Sequence, residues 1–117
     1  MIDLQAHSTV SDGQLEPADV VRSAAEAGVT VMALTDHDGV AGVPAAMETA
    51  AELGIQNIPA VEMSCVHKYS EDLHICGYWV DVEKMKPACE RAQQERVDRA
   101  KEIIRRLNEH GVEVTFE

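Results

Sequence analysis

Five residues in this sequence have the side-chain chemistry to share a metal ion: His7, Asp12, His37, Glu62 and His74. His7 closes an apolar run and is followed at once by Ser8, Thr9, Ser11 and Asp12. His37 closes a second run, flanked by Asp36 and Asp38. Glu62 lies near the end of a third, within Pro-Ala-Val-Glu-Met, where an acid is costly to bury unless it is paired. His74 stands inside a fourth run, between Leu73 and Ile75. Three imidazoles and two carboxylates make a mixed N/O donor set, which suits Zn²⁺, Mn²⁺ or Fe²⁺ better than Ca²⁺ or Mg²⁺. Structural zinc favours a closed, cysteine-rich shell. Cys65, Cys76 and Cys89 contain no C-x-x-C pair, so the pattern points to a catalytic centre.

Each residue also has a plainer reading. A lone histidine such as His74 in an apolar run is usually a hydrogen-bonded core residue. Asp12 and Asp38 each precede a glycine, where aspartate commonly serves as a turn residue or helix cap. His67 and His110 carry no assigned role. The conjunction at successive run ends favours the metal centre over five separate coincidences.

The elements that must position these residues repeat along the chain. Ser11-Asp-Gly and His37-Asp-Gly lie 26 residues apart, as do AAEAGV from Ala24 and AAELGI from Ala50. Each unit reads as strand, polar turn, Ala-rich helix, glycine stop and next strand. Pro17 and Pro44 sit where first helical turns accept proline, and Gly28 and Gly54 where helices end. Strands are expected over about residues 2–7, 29–35, 57–63 and 73–80, with a polar loop at 65–72. A long helix follows over about 83–110, with Ala92, Val97, Ala100, Ile103, Ile104 and Leu107 on one stripe and a solvated mixed-charge outer face. Gly111 ends it, and residues 112–116 are expected to begin another strand. Strands alternating with helices indicate parallel βα units, so the fold class is α/β. In such folds the carboxyl ends of the strands share one rim, which would bring His7, Asp12, His37 and Glu62 into one pocket, with His74 joining from a neighbouring strand.

A chain of 117 residues supports at most one domain, and its formal charge of −11 argues against gripping nucleic acid by backbone neutralisation. No apolar run approaches the roughly 18 residues of a membrane span. The opening MIDLQ lacks a basic n-region, and the odd cysteines read as reduced thiols, so a cytoplasmic location is expected.

IDLQAHSTVSDG, ALTDHDGVAG, IPAVEMS and LHICGYWVD resemble the first four motifs of the PHP (polymerase and histidinol phosphatase) phosphoesterases. The helix text ERVDRAKEIIRRLNEHGVEVTFE extends the likeness, which is greatest to stand-alone bacterial enzymes acting on nucleoside 3′,5′-bisphosphates and 5′-phosphorylated short RNA. The resemblance implies a distorted (βα)₇ barrel, of which residues 1–117 would be a partial, N-terminal portion, and a di- or trinuclear site. It implies that His7 serves a first metal, Asp12 and His37 a second, Glu62 bridges two, and His74 serves a third, with Asp12, His37 and Glu62 catalytic. It further implies a metal-activated water as nucleophile and a small phosphorylated nucleotide or short RNA as substrate. The first histidine of the family's H-x-H is Gln5 here, which would weaken one metal position. A second reading is a catalytically incomplete metal-binding fragment that self-associates or pairs with a missing C-terminal half. A third is hydrolysis at carbon, as in amidohydrolases with similar metal clusters.

Overall fold

A computed structural model describes residues 1–67 and 70–116. The chain runs β1 (Ile2–Ala6), α1 (Pro17–Glu26), β2 (Val31–Leu34), α2 (Val43–Leu53), β3 (Gln56–His67), β4 (Ser70–Tyr78) and α3 (Val82–Glu109). The four strands form one sheet in the order β1-β2-β3-β4. β1 and β2 pair in parallel, as do β2 and β3, with Val31 opposite Gln56 and Leu34 opposite Pro59.

The two βα units form for the local reasons the repeat suggests. Pro17 and Pro44 occupy first-turn positions, where a missing N–H costs nothing. Gly54 ends α2 at φ 68° and Gly28 follows α1 at φ 83°, a left-handed backbone that glycine adopts without a Cβ clash. Alternation along β2 sends Met32 and Leu34 to the helices, where they pack with Val21, Val29, Ala46 and Ala50. Ala33 faces the other way, with Ile58 and Ala60. That inner face curls far enough for the Tyr78 hydroxyl of β4 to donate to the Leu4 carbonyl of β1 at 2.9 Å.

Four expectations need correction. β4 is antiparallel to β3, and the expected polar loop at 65–72 is largely strand, with Cys65 opposite Leu73 (residues 68–69 lie outside the described residues). Without a crossover helix between them, consecutive strands can neighbour each other only in antiparallel fashion. Residues 112–116 form no strand. The Asn108 carboxamide instead clasps Val114, donating to its carbonyl and accepting from its N–H at 3.0 Å each. The apolar stripe of α3 is only partly a core face. Cys89 packs on Val40, Val43 and Val61, whereas Ile103 is 47% and Leu107 38% exposed. A 28-residue helix is about 42 Å long, more than the sheet beneath it can cover. Among the described residues no helix is long and apolar enough to cross a membrane.

Candidate metal centre

The site is assembled just past the ends of β1 and β2 and midway along β3, which runs on past Glu62 to His67 instead of ending there as the sequence suggested. Parallel pairing continues past β2 through a single bridge that sets His37 beside Glu62. The Glu62 N–H donates to the Asp36 carbonyl at 3.2 Å, and the Asp38 N–H to the Glu62 carbonyl at 2.9 Å. The loop after β1 is held by Asp36, which is 1% exposed. Its carboxylate accepts from the Ser8 N–H, the Ser8 hydroxyl and the Ser11 hydroxyl, each at 2.7 Å. Gly13 closes the same loop against Ser8, its N–H donating to the Ser8 carbonyl at 2.8 Å. A Cβ there would lie 2.3 Å from the His7 carbonyl oxygen, so only glycine lets the chain turn this tightly.

The result is convergence on one buried carboxylate. Glu62, 4% exposed, presents Oε2 to His7 Nε2 at 3.2 Å and to His37 Nδ1 at 3.8 Å, and Oε1 to His74 Nδ1 at 3.3 Å. The His7 and His37 rings stack at 4.6 Å, and His74 meets His37 edge-on at 4.7 Å. Asp12 reaches in from the exposed side, 3.5 Å from His7 Nδ1 and 3.8 Å from His37 Nε2. All five residues singled out in the sequence therefore meet. Gln5 meets them too, donating from Nε2 to Glu62 Oε2 at 3.2 Å. It shares its strand face with His7, two residues on.

A metal ion fits this donor set on the chain's own chemistry. Nδ1 of His7 and Nδ1 of His37 are buried and make no hydrogen bond among the described residues. An orphaned buried nitrogen is costly unless a partner arrives. One ligand atom from each of His7, His37 and Glu62 lies within 4.8 Å of the others. That spacing suits a shared cation.

A second layer was not legible in the sequence. Asp38 stands in a turn, as its place before a glycine suggests, but it caps no helix and is buried there at φ 49°. Its carboxylate accepts from the Ser64 N–H at 2.8 Å and pairs with Arg96 of α3, while Gln93 donates to its carbonyl at 2.7 Å. Burial pushes the Asp38 carboxyl up, but the Ser64 backbone and side chain and the Arg96 guanidinium outweigh it and hold the group below its ordinary value. Arg96 also donates to the Ser64 hydroxyl at 3.1 Å. It thus departs from the purely solvated outer face expected of α3. Arg96, Asp12, His37 and His74 line one cavity of about 560 Å³.

Residues 3–114 match the PHP domain, and the chain belongs to that family. It is 39% identical over 112 residues to a 5′-3′ exoribonuclease of Haemophilus influenzae, covering 94% of this chain and 40% of that protein. It is 33% identical over 118 residues to a 3′,5′-nucleoside bisphosphate phosphatase of Chromobacterium violaceum, covering 99% and 41%. Among solved structures, an amidohydrolase from Chromobacterium violaceum with bound sulfate and no metal superposes with a TM-score of 0.81 at 32% identity, covering 97% of this chain and 40% of that one. A putative metal-dependent phosphoesterase from Bifidobacterium adolescentis superposes with a TM-score of 0.79 at 26% identity, covering 92% and 38%. The chain spans about two-fifths of the length of these curated relatives.

Proposed function

We propose that this chain binds divalent cations through His7, Asp12, His37, Glu62 and His74. We further propose that it forms the N-terminal, metal-holding part of a PHP barrel that hydrolyses phosphate esters of nucleotides or short 5′-phosphorylated RNA. The observation that carries the reading is the convergence of three imidazoles on buried Glu62, with His7 Nδ1 and His37 Nδ1 left without hydrogen-bond partners among the described residues. The donor set favours Mn²⁺, Zn²⁺ or Fe²⁺. Bound ions of this kind activate water and offset the charge that develops on a phosphoryl group. Glu62 turns one oxygen to His74 and the other to His7 and His37, the two-sided arrangement a bridging ligand requires. Asp12 and His37 line the cavity and are assigned with Glu62 to the reaction. Cys65, Cys76 and Cys89 are all free thiols, the state that a reducing, cytoplasmic setting maintains. The relatives that act on a nucleoside bisphosphate and on RNA support the substrate class.

Phosphate release from a nucleoside 3′,5′-bisphosphate with added Mn²⁺ tests the reading. EDTA-sensitive release is the expected result, and none above a protein-free blank removes activity from the isolated chain.

The chain's share of its relatives and its uncovered apolar surface favour a second reading, an incomplete fragment that associates. Ile103, Leu107, Val112 and Phe116 are exposed together at the α3 end, and Ile2 and Leu4 at the β1 edge. Large apolar side chains open to solvent at these two places are what a partner chain would cover. Light scattering should therefore give at least twice the 12.8 kDa of one chain, or a stable complex with a second fragment. A single cooperative monomer would refute association.

Gln5 makes its own prediction. Gln5→His places an imidazole beside the Glu62 oxygen that Gln5 now contacts at 3.2 Å. Manganese affinity should rise at least about tenfold, the scale on which even outer partners tune metal sites, or one more ion should bind. Calorimetry showing neither would mean that position is already satisfied.

A further inference from the structure

β1 does not pair regularly with β2. Asp3 stands opposite Met32 and Ala6 opposite Leu34, so Leu4 and Gln5 together face the single Ala33. One extra residue of this kind makes a β-bulge. Its effect follows from which way the paired residues point. Met32 and Leu34 pack towards the helices, and residues paired across neighbouring strands share a face, so Asp3 and Ala6 belong to that outer side. Unbroken alternation from Asp3 would carry Gln5 and His7 outward as well, away from Glu62. The extra residue reverses the phase of the strand. Gln5 and His7 turn inward, where each reaches Glu62 Oε2 at 3.2 Å.

A bulge leaves backbone groups without ladder partners, and two side chains take them here. The Asp3 carboxylate accepts from the Gln5 N–H at 3.2 Å, and the Tyr78 hydroxyl donates to the Leu4 carbonyl at 2.9 Å. The second bond spans the concave face, since β1 and β4 are the two outer strands of the sheet. Tyr78 reaches across because its ring packs over Ala33, Ile58 and Ala60, two of which are too small to block it. We propose that the Asp3 carboxylate and the Tyr78 hydroxyl are positioning groups of the metal centre, which lock the bulge in β1 and thereby aim His7 at Glu62. The consequence for metal binding rests on the phosphoesterase reading, whereas the aim of His7 stands apart from it.

Tyr78→Phe tests this with the ring's packing retained. Manganese affinity should fall roughly tenfold, the lower end of what partners outside the ligand shell contribute. Asp3→Ala should shift it the same way, and Asp3→Asn, which keeps an acceptor oxygen for the Gln5 N–H, should restore most of the affinity. A loss that acts through His7 should vanish in a His7→Ala background, where a general loosening of the fold would persist. The His7 imidazole proton signals of the metal-free protein, assigned by their disappearance in His7→Ala, give a reading that needs no metal. They should move in Tyr78→Phe while those of His110, at the far end of α3, stay in place. Unchanged manganese affinity in Tyr78→Phe, the same loss with and without His7, or unmoved His7 signals overturns the proposal. Equal loss in Asp3→Ala and Asp3→Asn removes Asp3 from it. If the parent chain binds no manganese, the metal reading fails, and the His7 signals alone decide the aim of the ring. They decide equally if His7→Ala binds too weakly to titrate.

Discussion

Glu62→Gln should abolish the proposed divalent-cation binding while leaving the protein folded. The substitution keeps the shape of the side chain but replaces one acceptor oxygen by an NH2 donor and removes the one negative charge to which His7, His37 and His74 all turn. The carboxylate is almost wholly buried, so no water compensates for what the amide lacks. Loss of an outer-shell partner commonly weakens a metal site tenfold to a hundredfold. Loss of a ligand that faces both sides of the cluster should exceed that, by more than about a hundredfold in manganese affinity. His37→Ala should weaken binding as well, since it removes the ring that stacks on His7 and meets His74 edge-on. Electron paramagnetic resonance of titrated Mn²⁺ gives free and bound ion directly, and circular dichroism checks the fold on the same samples. Unchanged stoichiometry and affinity in both variants would show that the cluster is only a buried hydrogen-bond network.

The parts of this arrangement that were legible in the sequence are those set by neighbouring residues. Pro17 and Gly28 bracket α1, and Pro44 and Gly54 bracket α2, because first-turn proline and left-handed glycine act within a single turn of chain. The rim position of His7 and His37 followed from strand ends, since parallel strands share a direction, whereas Glu62 lies midway along β3 and joins them where the parallel pairing of β2 with β3 runs out. What escaped depends on partners distant in sequence. Asp36 reads as a mere neighbour of His37 until Ser8 and Ser11 fold back on it from 28 and 25 residues away. Arg96 is indistinguishable by pattern from the other arginines of α3, and only the packing of Cys89 and Met85 on the sheet brings it down to Asp38. The antiparallel turn of β4 was hidden because its apolar run has the same composition as a parallel core strand. Residues 112–116 have strand-forming composition without a strand to pair with, and Asn108 takes up the backbone groups of Val114 instead.

Asp36→Ala should be the most damaging stability variant, although Asp36 holds no place in the five-residue cluster. Its carboxylate is 1% exposed and accepts three hydrogen bonds from the loop that follows β1. Hydrogen bonds to a charged group contribute about 1.5–3 kcal/mol each, but their losses do not add, because the serine hydroxyls can turn elsewhere once freed. The buried Ser8 N–H cannot turn, and alanine leaves it unsatisfied beside a small void. A net cost of about 3 kcal/mol is expected. Asp36→Asn should lose less, roughly 1–2 kcal/mol, since its amide oxygen still accepts from the Ser8 N–H. Glu52→Ala, at an exposed position of α2, should stay within about 0.5 kcal/mol of the parent. Urea unfolding of the three variants gives the ranking, and the ranking is what matters if the alanine variant unfolds outright. The same clasp carries Asp12 to within 3.5 Å of His7, so a loosened loop should also lower manganese affinity in Asp36→Asn while Glu52→Ala leaves it unchanged. If Asp36→Ala proves as stable as Glu52→Ala, then Gly13 and the backbone bonds to Ser8 hold the loop by themselves, and the carboxylate is not what brings Asp12 to the histidines.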